Sequence, residues 1–546
     1  MRAPLRRALA LAVLLTLLRS ISTVGTTVVL GRGPTSTTIH GIDVDASTIP
    51  QLQDLMDAHR LTSVQLTQFY LQRIKKLNPT LHAVITVSGT ALAEARAADK
   101  ARRKGDDRPL LGIPILVKDN VNTTGMPTTA GSWALAGSTP SDAFIVQRLK
   151  AAGAIVIGKA NLSEWANFRS IPSSSGWSGI GGQNNMAYVL DRNPCGSSSG
   201  SGVGVSADLA VAAIGTETDG SIVCPSGANG IVGIKPTLGL LSRAGVVPIS
   251  ADQDTAGPMA RNVTDAAVLL GALTGIDPND PATSGQAGNA LTDYTGFLDD
   301  ESLEGANIGV WREGTDTFEG ERLDPDVDAV MSATIAALEA EGATVTEVQL
   351  PLDDVFGPEF AALECEFKTD IATYLQTYTA AGYPKTLAAL IAFNLANPDL
   401  EEEWNDVIFE QSDATGGRTS QACIDARAAT TPPVQERLAA LLAEFDAIIA
   451  PTNGPAWLTD FEGPEGGDLS VEDPPPPFIG SSSASAIAGW ANITIPAGYA
   501  RDGTLPIGVS FIGGAWDEPD LIGFAYDFEQ ATQVRVPPQF LPTIGE

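Results

Sequence analysis

The sequence predicts an α/β protein organised around a central β-sheet. Segments with helical periodicity alternate repeatedly with short apolar runs of strand length, the grammar of a sheet covered by helices. The chain has 546 residues, 43% of them hydrophobic, enough for a substantial core. Its 55 glycines and 36 prolines supply the many turns that numerous short strands require.

From about Ile49 to Lys104 the pattern is helical. Leu52, Leu55 and Met56 recur at helical spacing, and Val64, Leu66, Phe69, Tyr70 and Ile74 repeat it, with Ser63 as the expected cap. His59 falls between these two helices, at a polar, solvated position. Ala91 to Lys104 reads as a surface helix. Pro109 to Val117 reads as a buried strand, Ala143 to Gly153 as a helix, and Ala154 to Gly158 as the next strand. Leu209 to Ile214 is a further apolar stretch. Val327 to Glu341 is an amphipathic helix closed by Gly342, with Ala343 to Leu350 as its strand. Residues 352–433 mix helical stretches with acidic clusters and read as an insertion or cap over a substrate cleft. Gly463 to Pro477 reads as an exposed loop. With no internal repeat, residues 40–546 form one elaborated domain.

The chain opens with Arg2, Arg6 and Arg7 ahead of an 11-residue apolar run, Ala8 to Leu18. Such a run is too short to span a bilayer and matches the apolar core of a signal peptide. A leader of residues 1–25 is expected, with cleavage near Ser22 to Gly25, and hence a secreted or periplasmic protein without stable membrane association; an uncleaved anchor is the alternative. The Arg6-Arg7 pair leaves both twin-arginine and general export open.

The formal net charge is −32, with 65 acidic residues against 10 lysines. Such a surface repels polyanions and anionic lipid, so nucleic acid is not an expected partner. Two readings of the acidity stand, adaptation to high salt and an acidic exported protein. Of the four cysteines, Cys365 and Cys423 are the preferred disulfide because both lie outside the chain's serine-glycine motifs. Packing is the expected role of Cys195. The cysteine and histidine spacings match no zinc site, and no metal or cofactor is expected.

Two serine-glycine segments carry the chemistry: Pro194-Cys195-Gly196-Ser197-Ser198-Ser199-Gly200-Ser201-Gly202 and Gly215-Thr216-Glu217-Thr218-Asp219-Gly220-Ser221. All three histidines, His40, His59 and His82, precede them and none has a recognisable catalytic setting. A serine nucleophile here needs another proton acceptor, and Lys118 is the natural substitute at the end of the apolar run Ile113 to Val117. An ordinary lysine is well under about 1% neutral at pH 7, so burial must lower its pKa. Asp119 would oppose that shift unless strand alternation turns it to the other face. The turn Thr218-Asp219-Gly220 before Ser221 can aim successive backbone N–H groups at one point, giving an oxyanion site from the amides of Thr218, Asp219, Gly220 and Ser221. On composition alone a serine-glycine run is more often a flexible loop, and the chain has two further such runs, Ser173 to Ser175 and Ser481 to Ser483.

These residues resemble the amidase signature family. Lys118 in Val117-Lys118-Asp119-Asn120 matches the family lysine, Ser197 its cis-serine and Ser221 its nucleophile. The resemblance runs from about residue 45 to 535 and includes Lys159 to Trp165, Gly233 to Thr237, Asp254 to Arg261, Ala450 to Thr452 and Pro506 to Val509. It implies a central mixed sheet covered by helices on both faces. It also implies a Ser–cis-Ser–Lys triad that hydrolyses linear amide C–N bonds through an acyl-enzyme. Glu217 and Asp219 stand where the family usually has Asp and Gly, and Cys195 and Ser199 replace glycines. That variant is similar to the peptide amidase branch, which implies C-terminal peptide amides as substrates with release of ammonia. A broad aliphatic or aromatic amidase is the alternative. The tRNA-directed amidotransferase subunit of the same fold is disfavoured by the leader and the acidity. An intact triad disfavours a catalytically dead binding protein.

Overall fold

The computed structural model describes residues 37–544 apart from 171–172, 313–323, 402–404 and 460–480. The expected leader and the Gly463–Pro477 loop therefore lie outside the described residues. A small hairpin, β1 (Thr38–Ile39) with β2 (Ile42–Asp43), precedes helices α1 (Ile49–Asp57) and α2 (Ser63–Leu81). The cap of α2 is Thr62, whose hydroxyl accepts from the Gln65 amide; Ser63 is the first helical residue instead. Strand β3 (Val84–Val87) and α3 (Ala91–Arg102) lead to β4 (Pro114–Lys118), α4 (Phe144–Ala151) and β5 (Ile155–Ala160).

The two serine segments come next. The first becomes α5 (Ser199–Ser206), then β6 (Ala212–Glu217); the second leads into α6 (Val223–Ala228). Strand β7 (Val232–Lys235), β8 (Thr255–Ala260), α7 (Val263–Leu273), β9 (Asn307–Val310), α8 (Pro325–Ala340) and β10 (Thr344–Glu347) continue the chain. Residues 352–433 hold α9 (Phe356–Tyr378), α10 (Leu387–Ala396), α11 (Pro398–Glu401), α12 (Val407–Ala414) and α13 (Gln421–Ala428), and α14 (Thr431–Leu442) begins there. The chain ends with β11 (Ala447–Pro451), α15 (Ser481–Ala488), β12 (Asn492–Ala500), β13 (Leu505–Ile512) and α16 (Glu518–Thr532).

Among the described residues eleven strands form one mixed sheet in the order β10-β9-β11-β13-β12-β7-β8-β6-β4-β5-β3. Strands β6, β4 and β5 are parallel, with Val117 paired to Ile214 and Lys118 to Ala160. The five residues of β4 are all buried, as a near-continuous apolar strand in a covered sheet should be. Helix α5 is buried along its whole length, which explains its composition. A Cβ on Gly200 would sit 2.4 Å from the Ala83 carbonyl oxygen, so only glycine lets the helix approach β3 and β5. From Ser199 onward the serine-glycine run is therefore a packed helix rather than a loop.

The 352–433 helices have their own apolar cluster. Phe367, Ile371, Leu390 and Phe409 pack on Trp165, Phe168 and Ile249, segments that flank the sheet's central strands. A second tie is ionic and buried. Arg261, just after β8, lies 3.2 Å from Asp208 and 3.9 Å from Asp45, while Arg73 of α2 pairs with Asp208 and Arg535 with Asp45. This network joins the first described strands to the C-terminal tail. Replacing one member leaves buried charge uncompensated. Arg261→Met is expected to lower the unfolding free energy by roughly 3–5 kcal/mol, read from the shift of the urea midpoint; an unchanged midpoint would show the network to be dispensable.

Candidate active site

Parallel strands β4 and β6 end side by side, and the site is built at and just beyond their carboxyl ends. Lys118 is the last residue of β4 and is fully buried. Its Nζ lies 2.8 Å from Ser197 Oγ, 2.9 Å from Thr216 Oγ1 and 3.1 Å from the Thr216 carbonyl oxygen. Asn120 Nδ2 donates to the same Thr216 hydroxyl at 2.9 Å. Among the described residues no carboxylate is within ion-pair distance of Nζ. Burial holds the Lys118 pKa well below the ordinary lysine range, and the more distant Glu217 and Asp254 carboxylates only partly offset it.

These contacts suit a neutral amine. Its two N–H groups have two acceptors in Thr216, and the remaining lone pair can take a hydrogen bond from the Ser197 hydroxyl. Asp119 does turn away, as strand alternation requires. Its carboxylate accepts from the Thr129 amide and hydroxyl and pairs with Lys159 at 3.3 Å.

The peptide bond Gly196–Ser197 is cis. Ser197 is fully buried, whereas Ser221 is 8% exposed, so the Lys118–Ser197 pair is sealed while Ser221 reaches the surface of the site. The two segments are laced together. The Ser198 amide donates to the Ser221 carbonyl at 3.1 Å. The Ser198 hydroxyl donates to the Thr216 carbonyl and accepts from the Thr216 amide. A disulfide joins Cys195, two residues before Ser197, to Cys224, three after Ser221. Cys195 thus has a covalent role beyond the packing expected of it. The expected pair Cys365–Cys423 is present, linking α9 to α13.

The turn 218–221 is held from three sides. Glu217 Oε2 accepts from the amides of Ile222 and Val223 at 2.7 and 3.0 Å, closing the loop on itself. Thr218 Oγ1 donates to Asp254 at 2.6 Å, and the amides of Ile249 and Ser250 hold the other Asp254 oxygen. Burial pushes the Asp254 carboxyl up to about 6 against those hydrogen bonds. Asp219 accepts from the hydroxyls of Ser482 and Ser483 at the start of α15, so that serine run is a clamp, not a loop. Gly220 takes φ +78°, a left-handed conformation that glycine adopts freely. Among the described residues no protein acceptor takes the amides of Thr218, Asp219, Gly220 or Ser221. They are free to bind a developing oxyanion.

Thr216, Asn120 and the Ser482–Ser483 clamp escape the sequence reading. Thr216 had one available signal, its place on the strand parallel to the one bearing Lys118.

The chain matches the family model described as Amidase over residues 65–522. A probable amidase of Arabidopsis thaliana is 38% identical over 513 residues, covering 91% of this chain and 92% of the relative. The native peptide amidase of Stenotrophomonas maltophilia has 44% identity and a TM-score of 0.83, over 91% of this chain and 99% of that one. A peptide amidase in complex with the competitive inhibitor chymostatin has 44% identity and a TM-score of 0.84, with the same coverage.

The Cys195–Cys224 bond encloses both serines in one covalent loop, with a sequence separation of 29. The double variant Cys195→Ala, Cys224→Ala is expected to lose roughly 3–4 kcal/mol of unfolding free energy. Urea titration under oxidising conditions measures it, and a loss below about 1 kcal/mol would deny the bond that role.

Proposed function

This chain belongs to the amidase family, and we propose that it is an exported serine amidase that releases ammonia from C-terminal peptide amides. Amide C–N hydrolysis follows from the family. The likeness to peptide amidases supports the substrate class. Export is supported by the arginine-flanked apolar run at residues 8–18 and by two disulfides, which persist in oxidising compartments. The observation that carries the mechanism is the buried Lys118 amine in contact with the Ser197 hydroxyl.

In this reading Ser221 Oγ attacks the amide carbonyl carbon. Its proton passes to Ser197 Oγ as the Ser197 proton moves to Lys118 Nζ. The carbonyl oxygen becomes an oxyanion and accepts from the amides of the 218–221 turn. Collapse breaks the C–N bond, and the nitrogen leaves as ammonia after taking a proton back through Ser197. Water, deprotonated by the same relay, then attacks the Ser221 ester and frees the carboxylic acid. Burial favours the scheme by pushing the Lys118 amine towards its neutral form.

Ser221→Ala and Lys118→Ala are each expected to lower turnover by about 10⁴ or more with the fold retained by circular dichroism. Near-wild-type ammonia release by either would overturn the assignment. Lys118→Arg is expected to fail equally, because guanidinium does not deprotonate.

The active form is the neutral amine. The value of kcat/KM should therefore fall as pH drops through the depressed Lys118 pKa and hold level above it, with the limb below the ordinary lysine range. A limb near 10.5, the ordinary lysine value, would mean that burial does not tune the base. On a substrate panel, a C-terminally amidated dipeptide is expected to exceed a simple arylamide in kcat/KM; the reverse order would assign a broad amidase.

A further inference from the structure

The Asp219 N–H belongs to the same planar peptide unit as the Thr218 carbonyl, so whatever fixes that carbonyl also aims the N–H trans to it. The Thr218 carbonyl accepts from Gln253 Nε2 at 3.1 Å. The same nitrogen donates to Glu359 Oε1 at 2.6 Å, and Gln253 Oε1 accepts from Arg427 Nη1 at 2.9 Å. Two acceptors on one side and a guanidinium on the other allow only this orientation of the amide. Gln253 is 1% exposed and Glu359 7%, so water cannot readily substitute for either. Arg427 is itself held by both carboxylate oxygens of Glu366, which also accepts from Ser250 in the loop that carries Gln253.

The anchors lie on the helices over the site, not on the sheet. Glu359 and Glu366 belong to α9 and Arg427 to α13, two helices that the Cys365–Cys423 disulfide joins. We propose that Gln253 is a positioning residue for the oxyanion turn, and that α9 and α13 set its geometry through Glu359 and Arg427. This rests on the amidase reading above. Gln253 touches no reacting atom; it acts through the Thr218–Asp219 peptide. A hydrogen bond to the carbonyl orients that unit and polarises it, making the Asp219 N–H a better donor. The oxyanion demands more of that donor than the neutral amide does, so the contribution belongs to kcat rather than KM.

Gln253→Met keeps the size and burial and removes the donor. With a C-terminally amidated dipeptide, kcat is expected to fall by about 10- to 100-fold while KM stays within about twofold. A peptidyl trifluoromethyl ketone, which forms an oxyanion on addition to Ser221, should lose affinity by the same factor as kcat. A folded Gln253→Met enzyme with wild-type kcat, or with a loss confined to KM, would overturn the proposal. If that variant does not fold, Glu359→Met removes only the distal acceptor and should lower kcat in the same sense; unchanged kcat there overturns it too. Inhibition of the wild type by the ketone, absent in Ser221→Ala, upholds the amidase reading whichever way Gln253 behaves.

Discussion

Burial disfavours the charged form of an amine, and a buried amine has to be hydrogen-bonded; Lys118 meets both conditions with few groups. Burial makes the charged form unfavourable, and the more distant Glu217 and Asp254 carboxylates offset this only in part. Thr216 then supplies two acceptors from the neighbouring parallel strand, leaving the lone pair for Ser197. The pairing of β4 with β6, Val117 opposite Ile214, sets where Lys118 and these acceptors meet. The contrast with the other buried lysines is informative. Lys159 ends a similar apolar run but pairs with Asp119, and Lys235 donates to the Pro236 and Trp490 carbonyls. Lys235 is pushed down to about 8 by burial, with Glu217 and Glu518 resisting. Among these three, Lys118 alone contacts a serine hydroxyl.

The serine segments answer a second demand, that two hydroxyl-bearing stretches of chain meet at the same buried point. Large side chains would keep them apart, so glycine and serine line the approach. Gly200 and Gly202 let α5 press against Ala83 and Pro225, where a Cβ would stand within 3 Å of a carbonyl oxygen. Small residues bury little apolar surface, so covalent and hydrogen-bonded ties replace packing energy. The Cys195–Cys224 bond and the Ser198–Thr216 exchange are those ties. The Glu217 side chain, longer than aspartate, reaches round the turn to the two amides that begin the next helix.

Much of this is legible in the sequence because it arises from local pattern. Short apolar runs mark β4 and β5 to within a few residues, Lys118 lies 2.8 Å from the Ser197 hydroxyl, and the Ser198 amide donates to the Ser221 carbonyl. The end-of-strand signal alone does not separate Lys118 from Lys159. What discriminates them is the side to which Asp119 turns and a threonine on another strand. The Ser481–Ser483 clamp has the composition of a loop because its partner, Asp219, is more than 260 residues away, and composition carries no long-range pairing. For the same reason residues 352–433 read only as a cap, although helix α9 brings a buried carboxylate towards the turn.

A division of labour between sheet and helices lets such a site change its substrate without changing its chemistry. Lys118 and Thr216 belong to the sheet, where a one-residue shift of register would turn every side chain to the other face. The helices above them are free of that constraint, held by their own apolar cluster and by ion pairs such as Arg169 with Asp406. They can vary in shape while Lys118, Ser197 and Thr216 stay fixed. Gln253 limits that freedom, because it commits one hydrogen bond to the turn and two to the helices. A helix layer that moved without it would leave the Thr218–Asp219 peptide without its outer support. Variation in this layer is therefore tolerated where it leaves the Glu359 and Arg427 contacts in place.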